Sequence, residues 1–250
     1  RRPPRSTLFP YTTLFRSDAC PAGGTVVIPE GTYLSSAQLV VVNGVSLIGT
    51  GRGSVIKAMD SWASGGRVVQ VNASVGSVLR DFAVDGNMVN QTAAVSGICT
   101  SSASSHTTVE RLYIHDVLEV GIIPYGVGTQ IIANHIYNCG DNAIEASSSD
   151  GNEIHDLLIE RNYIDTSPEG GIEFDEGTHD SIIRGNIIRN ISGLAMQAEN
   201  GCYSILIEGN KVYDCGSGIY AGDHSNLRTP QIEAYDIVIA NNQVEGTSAT

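Results

Sequence analysis

Aliphatic residues in this 250-residue chain come in short runs, broken every few positions by Gly, Asn or Asp. Long helical stripes are absent, and the recurring Ile and Val between tight-turn residues predict short strands. Five segments repeat one pattern: "IIANHI", "IERNYI", "IRGNII", "IEGNKV" and "IANNQV". Each has an apolar residue, an asparagine three positions on, and Ile or Val two further. The asparagines are Asn134, Asn162, Asn186, Asn210 and Asn242, spaced by 28, 24, 24 and 32 residues. Two earlier segments keep the frame with an apolar residue in place of Asn: Leu79/Phe82/Val84 and Val109/Leu112/Ile114. A second motif, a small residue before an aliphatic one, recurs at Gly97-Ile98, Gly121-Ile122, Ala143-Ile144, Gly171-Ile172, Gly193-Leu194 and Gly218-Ile219. Each repeat is therefore read as three short strands separated by turns.

A repeat of about two dozen residues cannot bury its own inward side chains, so neighbours must cover one another. Stacked at the ~4.8 Å strand spacing, equivalent residues form ladders, Ile on Ile and Asn on Asn. A buried amide is costly alone but is satisfied by the amides above and below it. The outward position two before each Asn reads Arg80, Glu110, Ile132, Glu160, Arg184, Glu208 and Ala240. Charges largely alternate along it, as cross-strand pairing favours. This row is a solvated face and not a site.

Composition changes the picture at one end. Residues 7–17, "TLFPYTTLFRS", lack the apolar block of a secretory signal, and Pro10 interrupts any import helix. Read as codons, they look like the in-frame translation of a short-read sequencing adapter. Residues 1–17 are therefore set aside as an artefactual or disordered leader, and 18–250 are read as one β-helix domain truncated at both ends. The leader holds four of the 14 basic residues and no acids, which leaves 10 Lys+Arg against 27 Asp+Glu, a net of −17. So acidic a body is expected to repel nucleic acid and anionic membranes. Five scattered cysteines without metal-ligand spacing read as free, buried thiols.

Residues 18–245 resemble the right-handed parallel β-helix proteins of the pectate-lyase-like superfamily. The resemblance rests on "GGTVVIPEGTY" (23–33), "VSLIGTGRGSVIKA" (45–58), "DFAVDGN" (81–87) and the coil pattern after them. It implies an all-β fold of three-strand coils. The opening and the "DGN" segment look most like mannuronan epimerases and related glycosidases. The epimerases' Asp-Pro-His group would fall in "VGIIPYG" (120–126), which keeps Pro124 and Tyr125 but has neither the Asp nor the His. No polygalacturonase Gly-His-Gly or Arg-Ile-Lys is present either.

The superfamily's glycan groove runs along one outer face, often on the strand that carries the Gly-Ile motif here. With Ile144, Ile172 and Ile219 inward, alternation turns Glu145/Ser147, Glu173/Asp175 and Tyr220/Gly222 outward. Gln197 and Tyr125 share this face, and Glu176, Glu199, Asp223 and His224 stand at strand ends. Glu145 and Glu173 would stack on successive coils about 5 Å apart, and Glu173 and Asp175 lie roughly 7 Å apart along one strand. Those separations overlap the paired carboxylates of glycosidases. Clustered acids raise one another's pKa, so one stays protonated while another stays ionised.

Glu145, Glu173 and Asp175 are thus the candidate catalytic residues, and Tyr125, Gln197, Tyr220 and His224 the candidate substrate-binding ones. Glu173, Asp175 and Glu176 form a candidate calcium site, although hydrolysis itself requires no cofactor. The leading expectation is a secreted or extracellular polysaccharide hydrolase acting on a poly- or oligosaccharide as a monomer. The alternative is a non-catalytic phage tailspike or adhesin solenoid, which would be a trimer. A polyuronate lyase or epimerase ranks third.

Overall fold

The computed structural model describes residues 20–62, 66–147, 154–223 and 233–247. Their strands join into three parallel sheets of nine, nine and eight strands. One coil shows the plan: Leu158–Glu160 enters the first sheet, Tyr163–Ser167 the second and Gly170–Asp175 the third. Every sheet neighbour is the equivalent strand of the next coil, and the path is that of a right-handed parallel β-helix. The only helical element among the described residues is a 3-10 turn at Met88–Asn90.

The asparagine ladder is continuous. The Nδ2 of Asn134 donates to Oδ1 of Asn162 (3.0 Å), and the same bond repeats from Asn162 to Asn186, Asn186 to Asn210 and Asn210 to Asn242. Each Oδ1 also accepts the backbone N–H of the asparagine below, at 2.9 Å. The second amide proton goes to a carbonyl of the coil below, as Asn186 does to Ile159 at 2.9 Å. The amides are thus saturated, which is why the core tolerates them. They stand at the corner between the first and second sheets. The residue before each is left-handed: Ala133 (φ 54), Arg161 (φ 54), Gly185 (φ 63), Gly209 (φ 62) and Asn241 (φ 56).

Around this corner Ile131, Ile159, Ile183 and Ile207 stack on one side and Ile136, Ile164, Ile188 and Val212 on the other, all fully buried. The charged row also lies in register from Arg80 to Ala240, with Arg80–Glu110 at 3.6 Å and Arg184–Glu160 at 3.4 Å. All five cysteines are free, and four are buried. Burial pushes the Cys139 and Cys202 thiols up to about 12, so neither is a nucleophile at neutral pH.

One phase differs from the sequence reading. Leu194 is not the inward partner of Ile172; it pairs with Gly170, while Met196 pairs with Ile172 and Ile219. The true small-aliphatic pair of this coil is Ala195-Met196. Its strand, Leu194–Glu199, begins two residues later than the motif suggests. On the neighbouring strand Gly171 is required by packing, since a Cβ there would drive into the Ala195 carbonyl and the Ile188 methyl.

Candidate functional site

The third sheet sets the site. In strand Gly170–Asp175 the ring of Phe174 is fully buried, between Ala146 and Ala198 of the adjoining coils. A large side chain between two small ones fills the interior. With Phe174 inward, Glu173 and Asp175 on either side of it point out.

The register makes one outward column of Glu145, Glu173, Gln197 and Tyr220, and brings Ser147 beside Asp175. One carboxylate oxygen each from Glu173, Asp175 and Glu199 lies within 4.8 Å of the other two. Glu199 is buried, and Glu173 and Asp175 are partly so. The Nδ2 of Asn142 donates to Oε2 of Glu173, and the Nδ2 of Asn200 donates to Asp175 at 2.7 Å.

Asn142, Glu173, Gln197 and Glu199 open onto a pocket of about 360 Å³, with Asp175 beside it. Its lining comes from four successive coils: Asn142 from the first, Glu169 and Glu173 from the second, Ser192, Gly193, Leu194, Gln197 and Glu199 from the third, and Gly216 and Ser217 from the fourth. Burial is the main cause that pushes the Glu173 carboxyl up, to about 8, reinforced by the charges of Glu145, Glu199 and Asp175 and opposed by a hydrogen bond from Gln197. Burial also raises Glu145, with Asp141 next in effect. At neutral pH Glu173 therefore holds its proton, the form in which a general acid acts.

The other expected residues fall around this centre. Gln197 lines the pocket, and Glu145 lies one coil below Glu173 in the same column. Tyr220 stands one coil above Gln197, its hydroxyl donating to the Asp223 carbonyl at 2.7 Å. Tyr125 lies outside the pocket, packed on a small outer cluster of Cys99, Val120 and Ile123. His224 lies outside the described residues. Of the expected calcium ligands, Glu173 and Asp175 come together, but their third partner is Glu199. Glu176 is left-handed (φ 55) and accepts from the Ser147 hydroxyl at 3.3 Å. Three carboxylates supply up to six oxygens, within the coordination range of Ca²⁺.

Asn142, Glu169, Ser192 and Ser217 were not anticipated from the sequence. The first three occupy the corner between the second and third sheets, where alternation gives no signal, and Ser217 opens the strand Ser217–Gly222. Glu199 had one, standing two residues after Gln197 on a strand. A second group of potential ligands, Asp85, His115 and Asp116, is already engaged: Lys57 pairs with Asp85 at 2.7 Å and His115 with Asp116 at 2.8 Å.

A family model described as the right handed beta helix region matches residues 96–249, a span that includes every pocket residue. This chain belongs to the right handed beta helix family. Solved structures with the same fold include the A-module of mannuronan C-5 epimerase from Azotobacter vinelandii, at 19% identity and TM-score 0.63, covering 93% of this chain and 72% of that one. A polygalacturonase from Erwinia carotovora is similar at 12% identity and TM-score 0.65, covering 92% of this chain and 72% of its own. An alginate lyase from Paenibacillus sp. is similar at 15% identity and TM-score 0.59, covering 91% and 93%. At such identities the likeness is one of fold. No curated protein matches the sequence.

Proposed function

We propose that this β-helix chain is a glycoside hydrolase that works with Glu173 as proton donor and Asp175 as nucleophile. The observation that carries the reading is the Glu173 carboxyl, raised to about 8 in a pocket beside three further carboxylates. The polygalacturonase, lyase and epimerase among its structural neighbours agree with a glycan as the ligand.

The chemistry follows from the spacing. Oxygens of Glu173 and Asp175 lie within 4.8 Å, short of the roughly 6.5–9.5 Å that seats an attacking water in inverting enzymes and nearer the ~5–5.5 Å of retaining ones. Glu173 gives its proton to the glycosidic oxygen as that bond breaks, and Asp175 adds to the anomeric carbon. A water that loses its proton to the Glu173 carboxylate then releases the sugar and restores both groups. Glu145 and Glu199 act through charge: they keep the proton on Glu173 until the leaving oxygen takes it.

Reducing-end release from a polysaccharide panel tests this. Glu173→Gln and Asp175→Asn should each lose at least ~10²-fold in turnover while keeping their β-sheet circular dichroism. The product should retain its anomeric configuration, and chelation of calcium should leave turnover unchanged. Undiminished turnover in Glu173→Gln would remove Glu173 from the reaction. An absence of turnover on every glycan would favour the non-catalytic solenoid.

A further inference from the structure

We propose that the glycan taken by this pocket carries no carboxylate: its sugar units are uncharged and bind through their hydroxyls. The inference rests on reading the pocket as a glycan site, and adds which class of glycan enters.

Every ionisable side chain on the described lining is a carboxyl group. Glu169, Glu173 and Glu199 line the cavity, Asp175 adjoins them, and no Lys or Arg is among the described lining residues. Among the described residues of this sheet's strands the one cation is Arg67, whose guanidinium lies against Cys99. Its strand, Gly66–Val71, is four places from Gly170–Asp175 in the sheet order, or ~19 Å at the spacing of parallel strands. Arg184 and Arg189 belong to the other two sheets, where they face Glu160 and Asp165 at 3.4 and 4.0 Å.

A polyuronate bound along the column would set one carboxylate at nearly every coil against these acids, with no guanidinium or ammonium among the described lining residues to receive it. Carboxylates accept hydrogen bonds, and the protonated Glu173 carboxyl adds a single donor, so these acids suit sugar hydroxyls better than a row of uronates. The remaining lining suits the same partner. Amides at Asn142 and Gln197 and hydroxyls at Ser192 and Ser217 both donate and accept, and Leu194 offers an apolar patch to a sugar ring. Selection by charge of this kind works by excluding the wrong ligand as much as by holding the right one.

The test is binding to the Glu173→Gln chain, by calorimetry in EDTA at low salt. The neutral probes are β-1,4-linked gluco-, manno- and galacto-hexaoses, and the charged ones are hexagalacturonate and hexamannuronate. At least one neutral hexaose should bind tenfold or more tighter than either uronate. Glu169→Gln with Glu199→Gln, added to the same chain, should narrow that gap at least threefold, and so should added salt. Uronate binding equal to or tighter than neutral binding would overturn the proposal. Uronate binding that appears only when calcium is supplied would overturn it too, and failure of every neutral hexaose to bind would do the same. Turnover by the unmutated chain is read separately. A neutral hexaose that binds but is never cleaved would sink the hydrolase reading and leave the substrate class standing.

Discussion

At Glu173, burial and three neighbouring carboxylates act on one proton, against the hydrogen bonds that the Gln197 and Asn142 amides offer the ionised form. The consequence reaches stability as well as chemistry. The folded chain holds this proton up to about 8, whereas an unfolded glutamate releases it near 4.5. Between those values the folded state binds more protons than the unfolded one, so stability must fall as pH rises through the window. Melting temperatures taken from pH 5 to pH 8 should therefore decline, and Glu173→Gln should flatten the decline. A slope unchanged by the substitution would mean that Glu173 is ionised throughout. The same residue gives the expected activity profile: turnover should drop as pH rises past about 8 and the donor loses its proton.

Within one coil, the corner asparagine ties two strands to the coils above and below. Truncating the Asn186 side chain strands the Asn162 N–H and takes one hydrogen bond each from Asn162 Nδ2, the Ile159 carbonyl and Asn210 Oδ1 in the core. Asn186→Ala should cost about 3 kcal/mol in urea unfolding. Arg184→Ala, two residues away on the solvated row, should cost under ~1 kcal/mol. Equal losses would contradict the separation between ladder and surface. This corner was legible in the sequence because Asn134, Asn162, Asn186, Asn210 and Asn242 recur with fixed apolar flanks, and each must meet its copies. The facing of Glu145, Glu173 and Asp175 was legible for a similar reason, since Ile172 and Phe174 fix the alternation of their strand. Leu194 misled because an aliphatic residue after glycine fits the motif equally well at a strand's first position. Asn142 and Glu169 were invisible because corner geometry has no sequence period.

Across the whole molecule, coils contact only their neighbours, so stability is close to a sum over repeats and interfaces. Deleting residues 187–210 joins Asn186 to Lys211 as Asn210 was joined, and leaves the ladder unbroken. The shortened chain should still unfold cooperatively in urea, whereas a molten product would contradict modular stacking. The deletion also removes Gln197 and Glu199, which shows what the solenoid does for function: acids dozens of residues apart become a single pocket only because coils stack in register. The central claim is that this stacking keeps the Glu173 carboxyl protonated at neutral pH. Carbon-13 NMR titration of side-chain carboxyls tests it most directly. One glutamate signal should titrate near 8 and vanish in Glu173→Gln; a set of glutamate signals all complete below about pH 5.5 would contradict the account.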